Sequence, residues 1–143
     1  MTVARILSEK GASVATVGPE KTLGDVIHIL AEKRIGALVV AHPDGTVVGI
    51  VSERDIMRAL ARLGAATLDA PVGDHMTANV TTCNRSTTIE DVMELMTNGR
   101  FRHIPVCEGG RLVGIVSIGD VVARRIATVE AEHQALREYI TTA

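Results

Sequence analysis

Aromatic side chains are nearly missing from this chain: one Phe, one Tyr and no Trp in 143 residues. Proteins that hold single-stranded nucleic acid stack bases on several rings, and Phe101 and Tyr139 leave little for that role. Any base held here must lie between aliphatic groups. An excess of one charge is missing too, with 15 Lys+Arg against 17 Asp+Glu and a net charge of -2. That argues against the basic footprint of a nucleic-acid or membrane-surface binder. The two cysteines, Cys83 and Cys107, form neither a CxxC pair nor a disulfide framework, which suits a reducing cytoplasm. No apolar run approaches the ~20 residues of a membrane span. The start, Met1-Thr2-Val3-Ala4-Arg5, lacks the charged-then-apolar layout of a secretion signal. The histidines His28, His42, His75, His103 and His133 fall in no HExxH or Cys/His zinc spacing. No Gly-rich phosphate loop of the P-loop or dinucleotide type occurs. The expectation is a soluble cytoplasmic protein without a metal.

What is present is a repeat. Gly49-Ile50-Val51-Ser52-Glu53-Arg54-Asp55 returns 65 residues on as Gly114-Ile115-Val116-Ser117-Ile118-Gly119-Asp120. Thr22-Leu23-x-Asp25-Val26 returns 66 residues on as Thr88-Ile89-x-Asp91-Val92. Two blocks in one order at nearly one offset mark a duplicated module, and two long copies make no solenoid. Each copy reads β-α-β-β-α, an α/β (α+β) pattern. Leu23, Val26, Ile27 and Leu30 are spaced for a helix capped by Thr22 and Asp25, and Ile89, Val92, Met93 and Met96 repeat it behind Thr88 and Asp91. Strands are predicted at 37–40 and 47–51 around the turn Pro43-Asp44-Gly45, and at 103–106 and 112–116 around Gly109-Gly110. Their continuous apolar runs predict a sheet covered on both faces. The boundaries fall at 5–66 for the first module, 67–73 for a linker, 74–130 for the second and 131–143 for an extension of the last helix. Val122, Ile126, Val129, Leu136 and Ile140 lie near one face of that helix, interrupted by His133. A contact between copies of the chain is the reading favoured for it over folding back.

Gly-x-x-Ser-x-x-Asp occurs twice, each time where a strand enters a helix. One copy alone reads as helix capping, with serine at the N-cap and aspartate at the third helical position. A ligand can use the same groups: a carboxylate can accept from both hydroxyls of a ribose, and free helix-start amides hold oxygen atoms. With this motif inside tandem β-α-β-β-α modules, the chain resembles a cystathionine β-synthase (CBS) domain pair, also called a Bateman module, over about residues 5–130. The resemblance implies pseudo-twofold packing and two clefts, each drawing on both copies. One would join Ile50, Ser52, Arg54 and Asp55 with Val80, Thr81, Arg102, His103, Ile104 and Pro105. The other would join Ile115, Ser117 and Asp120 with Val14, Ala15, Thr16, Gly36, Ala37 and Leu38. The resemblance also implies homodimers whose four modules form a flat disk.

The clefts are not expected to be equal. Arg102 is matched by Gly36, and Arg54 by Gly119, so the first cleft has a cation for a phosphate. His103 reads equally as a cleft residue or as strand-edge packing. Arg124 and Arg125 read as a solvated helix face, and Cys107 as a small apolar residue rather than a nucleophile. The function expected is a regulatory module that senses AMP, or ATP or NAD(H), and signals to an unknown protein by changing shape. The alternatives are a nucleotide-processing enzyme, for which Glu53 and Asp55 flank Arg54 without a metal cluster, and a nucleic-acid binder. No catalytic residue is assigned.

Overall fold

The computed structural model describes residues 1–142. The first copy contains β1 (Thr16–Val17), α2 (Leu23–Lys33), β2 (Ala37–Ala41), β3 (Val47–Ser52) and α3 (Glu53–Leu63). The second contains α4 (Ile89–Gly99), β4 (His103–Glu108), β5 (Arg111–Ser117) and α5 (Ile118–Thr142). A helix absent from the sequence reading, α1 (Val3–Lys10), precedes both. The fold is mixed α/β with two small sheets, as expected, and ends in the long helix.

Sheet one runs β1-β2-β3, with β1 parallel to β2 and β3 antiparallel to it. All of β2 is buried, which its unbroken Ala37-Leu38-Val39-Val40-Ala41 run requires. Sheet two pairs β4 with β5 antiparallel. The first strand of copy two shrinks to a single parallel bridge from Cys83 to Val106. The two hairpins touch where the Leu112 amide donates to the Gly45 carbonyl at 3.0 Å.

The helices start where their caps predict. Thr22 and Asp25 form a reciprocal capping box at α2, and Thr88 accepts from the Asp91 amide at α4. Both α2 and α4 end on an arginine in the left-handed region, Arg34 and Arg100, at φ 55° and 57°.

The two cores exchange their leading segments. Val3, Ile6 and Leu7 of α1 pack with Ile89, Val92, Met96, Ile104, Val106, Val116 and Val121 of copy two. Val72, from the stretch expected to be a linker, packs with Leu23, Val26, Leu38, Val51 and Ile56 of copy one. Thr67 is buried as well. Val72, with Met76 just beyond the expected linker, explains why this stretch docks instead of running free. Backbone bonds repeat the exchange symmetrically. The Ile89 amide donates to the Met1 carbonyl and the Leu23 amide to the Ala70 carbonyl, each at 3.1 Å. Bridges pair Thr2 with Thr88 and Thr22 with Pro71. Residues 1–7 thus stand to copy two as residues 70–76 stand to copy one.

The docked segments explain two glycines in the strands. A Cβ at Gly114 would stand 2.7 Å from the Leu7 side chain. A Cβ at Gly49 would stand 2.9 Å from the Thr77 carbonyl and collide with Met76. Leu7 and Met76 are the equivalent wedges of the two copies.

Candidate functional site

A cleft of about 250 Å³ opens between the copies beside the junction of β3 and α3. That is near the lower end of ordinary small-ligand pockets, roughly 300–1,000 Å³. From copy one it takes Gly36, Ile50, Ser52, Glu53, Arg54, Asp55 and Arg58. Thr77, Asn79, Val80 and Thr81 come from the segment ahead of copy two, and Gly99 to His103 from the α4–β4 turn.

The junction is built by capping. Asp55 Oδ2 accepts from the Ser52 amide at 2.8 Å and from Ser52 Oγ at 3.1 Å, while the Asp55 amide donates to Ser52 Oγ at 3.3 Å. Every one of these bonds to the carboxylate falls on Oδ2. Among the described residues no protein donor reaches Oδ1. The capping and ligand readings of Ser-x-x-Asp are therefore compatible, because the cap consumes one edge of the carboxylate and leaves the other to the cleft.

Four arginines line the same space, Arg54, Arg58, Arg100 and Arg102. The ion pairs of the described residues are Arg5–Glu9, Lys10–Asp120 and Arg124–Glu9, and none engages these four. Arg58 follows Arg54 by one helical turn, so both project from one side of α3. Such a set outweighs the two carboxylates of Glu53 and Asp55 and suits an anion held by charge-assisted bonds. His103 begins β4 at the edge of this group. Burial pushes its imidazole below the ordinary value of 6.5, and the nearby Lys10 charge adds to the effect. It is therefore mainly neutral near pH 7.

Of the residues expected in the first cleft, Ile50, Ser52, Arg54, Asp55, Val80, Thr81, Arg102 and His103 line it. Ile104 and Pro105 do not. Ile104 is fully buried in the core of copy two, and the Pro105 carbonyl accepts from the Cys83 amide at 3.0 Å. Strand alternation turns Ile104 away once His103 faces the cleft. Gly36, assigned to the second cleft, lies in the first. Glu53, Arg58, Thr77, Asn79, Gly99, Arg100 and Phe101 also line it without having been assigned to it. The spacing of Arg58 from Arg54 was a usable signal, whereas Phe101 and Asn79 needed the fold.

The residues expected in the second cleft are not gathered. Ser117 and Asp120 repeat the cap, the Ser117 amide donating to Asp120 Oδ2 at 2.9 Å. Asp120 lines a shallow recess with Ile6, Glu9, Lys10, Ala123 and Arg124. Val14 and Thr16 line a separate groove with His42 and Leu112. Ala37 and Leu38 are buried in β2, Ala15 packs on the core of copy one, and Ile115 is half-buried in β5 opposite Pro105. The described residues hold no group of three or more His, Cys, Asp or Glu placed for a metal. No helix among the described residues is long and apolar enough to cross a membrane. Burial raises the Cys83 thiol to about 11, so it is no ready nucleophile.

The CBS domain family model matches residues 3–62 and 72–126. The mitochondrial CBS domain-containing protein CBSX3 of Arabidopsis thaliana is 33% identical over 97% of this chain and 71% of its own length. Among solved structures, the CBS-domain containing protein ATU1752 of Agrobacterium tumefaciens is 49% identical with a TM-score of 0.84, covering 87% of this chain and 99% of that one. The structure of CBSX2 in complex with AMP is 32% identical with a TM-score of 0.69, over 80% and 89% of the two chains. The CBS domain pair of protein MJ0100, in complex with 5′-methylthioadenosine and S-adenosylmethionine, is 26% identical with a TM-score of 0.78, over 90% and 97%. With both matched stretches falling on the two copies, the chain belongs to the CBS domain family as a tandem pair of its modules.

Proposed function

We propose that this chain is a regulatory module that binds an adenosine nucleotide, AMP foremost with ATP and NAD(H) as related ligands, in the cleft of Ser52 and Asp55. The observation that carries the reading is the pairing of one open carboxylate edge with four unpaired arginines across a single cleft. The Asp55 edge suits the two ribose hydroxyls, Ile50 and Val80 suit a base held without ring stacking, and the arginines suit the phosphate. Neighbours of the same fold bind AMP or the phosphate-free 5′-methylthioadenosine and S-adenosylmethionine. The arginines favour the phosphorylated class here.

Titration calorimetry tests this directly. AMP is expected to bind more tightly than adenosine, 5′-methylthioadenosine or S-adenosylmethionine, with a preference that weakens as salt rises. Equal affinity for adenosine and AMP would remove the phosphate from the reading.

Binding without turnover is the reading chosen for the chemistry. Ser52 Oγ donates to Asp55 rather than to an imidazole, so the cleft offers no activated nucleophile. Incubation with AMP, ATP and NADH should return each unchanged, and product formation would make the chain an enzyme. The near-neutral charge speaks against nucleic acid as the ligand. The two free thiols fit a reducing compartment such as the cytoplasm.

Two copies are proposed to pair through the outer faces of α3 and α5. Met57, Leu63, Val122, Ile126 and Val129 are each about half exposed or more there, an apolar face that a single chain leaves in water. Ligand in the cleft would alter how the modules sit, and a partner protein, still to be identified, would read the change. A ligand achieves this only through unequal affinity for the two arrangements.

A further inference from the structure

The second Ser-x-x-Asp junction already has an occupant. Lys10, in the last turn of α1, places Nζ 2.7 Å from Asp120 Oδ2 and donates to the Ile115 carbonyl at 3.0 Å. The contact is half-sheltered, with the two side chains 32% and 23% exposed. Burial alone would raise the Asp120 carboxyl, but the Lys10 and Ser117 hydrogen bonds outweigh it and hold the group below its ordinary value.

The other copy shows why this is particular to one cleft. The symmetric backbone bonds run from Met1 to Ala4 and from Ala70 to Gly73, and past Leu7 and Met76 the two segments take different paths, the second one placing Asn79 at its cleft. Asn79 is short and uncharged and lines the open cleft. The carbonyl of Ile50, counterpart of Ile115, accepts from the Thr77 amide at 2.8 Å. There the docked segment leaves its short helical turn at Asp74 and runs on to bridge β3 at Thr77. In α1 the helix continues to Lys10, so no backbone amide reaches Ile115, and the Lys10 ammonium supplies that hydrogen bond instead. Local sequence explains the difference. Val3 to Lys10 contains Ala, Leu, Glu and Lys and an Arg5–Glu9 pair at helical spacing, whereas 72–79 begins Val-Gly-Asp-His and passes through Thr77.

We infer that Lys10 is a built-in occupant of the second Ser-x-x-Asp junction: its ammonium shares Asp120 Oδ2 with the Ser117 cap and neutralises the carboxylate whose other oxygen would otherwise receive a ribose, so each chain holds one adenosine ligand and α1 is latched to copy two. Two cations on this side are spent on the protein itself, since Arg124 pairs with Glu9 and Lys10 with Asp120, while Arg34, the counterpart of Arg100, is in no ion pair among the described residues. Gly36 and Gly119 supply no side-chain charge in place of Arg102 and Arg54. The ligand count rests on the proposed use of this motif as a ribose acceptor; the latch itself does not.

Two measurements separate these parts. Acylation of surface amines, followed by mass spectrometry, compares Lys10 with the exposed Lys21 and Lys33 of the same chain. Lys10 should react several-fold more slowly, and Asp120→Asn should abolish that difference. Equal reactivity in the unaltered protein overturns the latch, whatever the chain binds. Calorimetry with AMP and adenosine then counts sites. The unaltered chain should take one equivalent, and Lys10→Met, which keeps the aliphatic stem and removes the ammonium, should admit a second, weaker one preferring adenosine. Two equivalents on the unaltered chain, or only one on Lys10→Met, overturn Lys10 as the excluding group. If neither protein binds any nucleotide, the proposed function fails, while the acylation ratio still decides the latch.

Discussion

The two strand-to-helix junctions share their backbone and cap and differ in the charge placed around them. At Ser52 and Asp55, four arginines face the cleft without partners, and the docked segment contributes a neutral Asn79. At Ser117 and Asp120, the counterparts of Arg54, Arg58 and Arg102 are Gly119, Ala123 and Gly36, and the carboxylate is bound to Lys10. Duplication thus preserved the capping box, which each copy needs to start a helix, and let the surrounding charges diverge. A motif kept for folding can serve a ligand in one copy and an internal salt bridge in the other.

The largest difference between the junctions should appear on removing each carboxylate. Asp55→Ala is expected to weaken AMP by roughly 10- to 100-fold, the scale of about 1.5–3 kcal/mol for hydrogen bonds to a charged group. Asp120→Ala should change AMP affinity at the first cleft by less than about 2-fold, because Asp120 does not line that cleft and reaches it only through a screened charge on His103. Similar losses in both variants, read by calorimetry, would erase the asymmetry.

Arg102→Ala should follow, weakening AMP by about 10-fold and leaving adenosine nearly unchanged, as expected for one charge-assisted phosphate contact. An equal loss for both ligands would place Arg102 on the base or sugar.

The docked wedges offer a comparison in stability. Gly49→Ala drives a methyl toward the Thr77 carbonyl and Met76, and backbone cannot step aside. Gly114→Ala meets only the end of the Leu7 side chain. Gly49→Ala should cost roughly 1–3 kcal/mol as overpacking, lowering Tm by several degrees at about 2–4 °C per kcal/mol for a chain of this size. Gly114→Ala should cost less, and the reverse order in thermal melts would mean that α1 is the more rigid of the two segments.

The smallest effect concerns acid. His103 titrates below 6.5 in the folded chain because protonation would charge a half-buried ring near Lys10. The unfolded chain therefore takes up this proton first, so the contribution is intact above about 6.5 and declines as pH falls through the folded value. His103→Asn should flatten stability between pH 7 and 5 by a small but measurable amount in denaturant titrations. An unchanged slope would assign the acid sensitivity to other groups.

Much of the fold was legible because its signals are local. The Thr22 and Thr88 caps, the apolar runs of β2 and β4, and the Ser-x-x-Asp turns are short-range patterns, and the helices and strands begin within a residue or two of where they point. The two motifs repeated in the same order in both copies made the architecture readable as well. Helix α1 was missed because eight residues with only Val3, Ile6 and Leu7 buried make a weak periodic signal, and the helix is held by packing on copy two. The supposed linker was misread for the same reason: its anchor, Val72, is a single residue whose partners lie in another segment.

The cleft divides along the same line. Ser52 and Asp55 could be named from the repeat and Arg102 and His103 from the family resemblance, and all four line one cleft, while Ile104 lies one step of strand alternation away in the core. The sequence by itself determined the duplicated module, its caps and the unequal numbers of arginines, because each depends on residue identity and short spacing. Tertiary structure alone decided which leading segment docks on which copy. Through that docking it brought Asn79 to the lining of one cleft and Lys10, 110 residues away in the chain, to the carboxylate of the other junction. Contacts of that range are set by how buried faces fit together, and no local pattern encodes them.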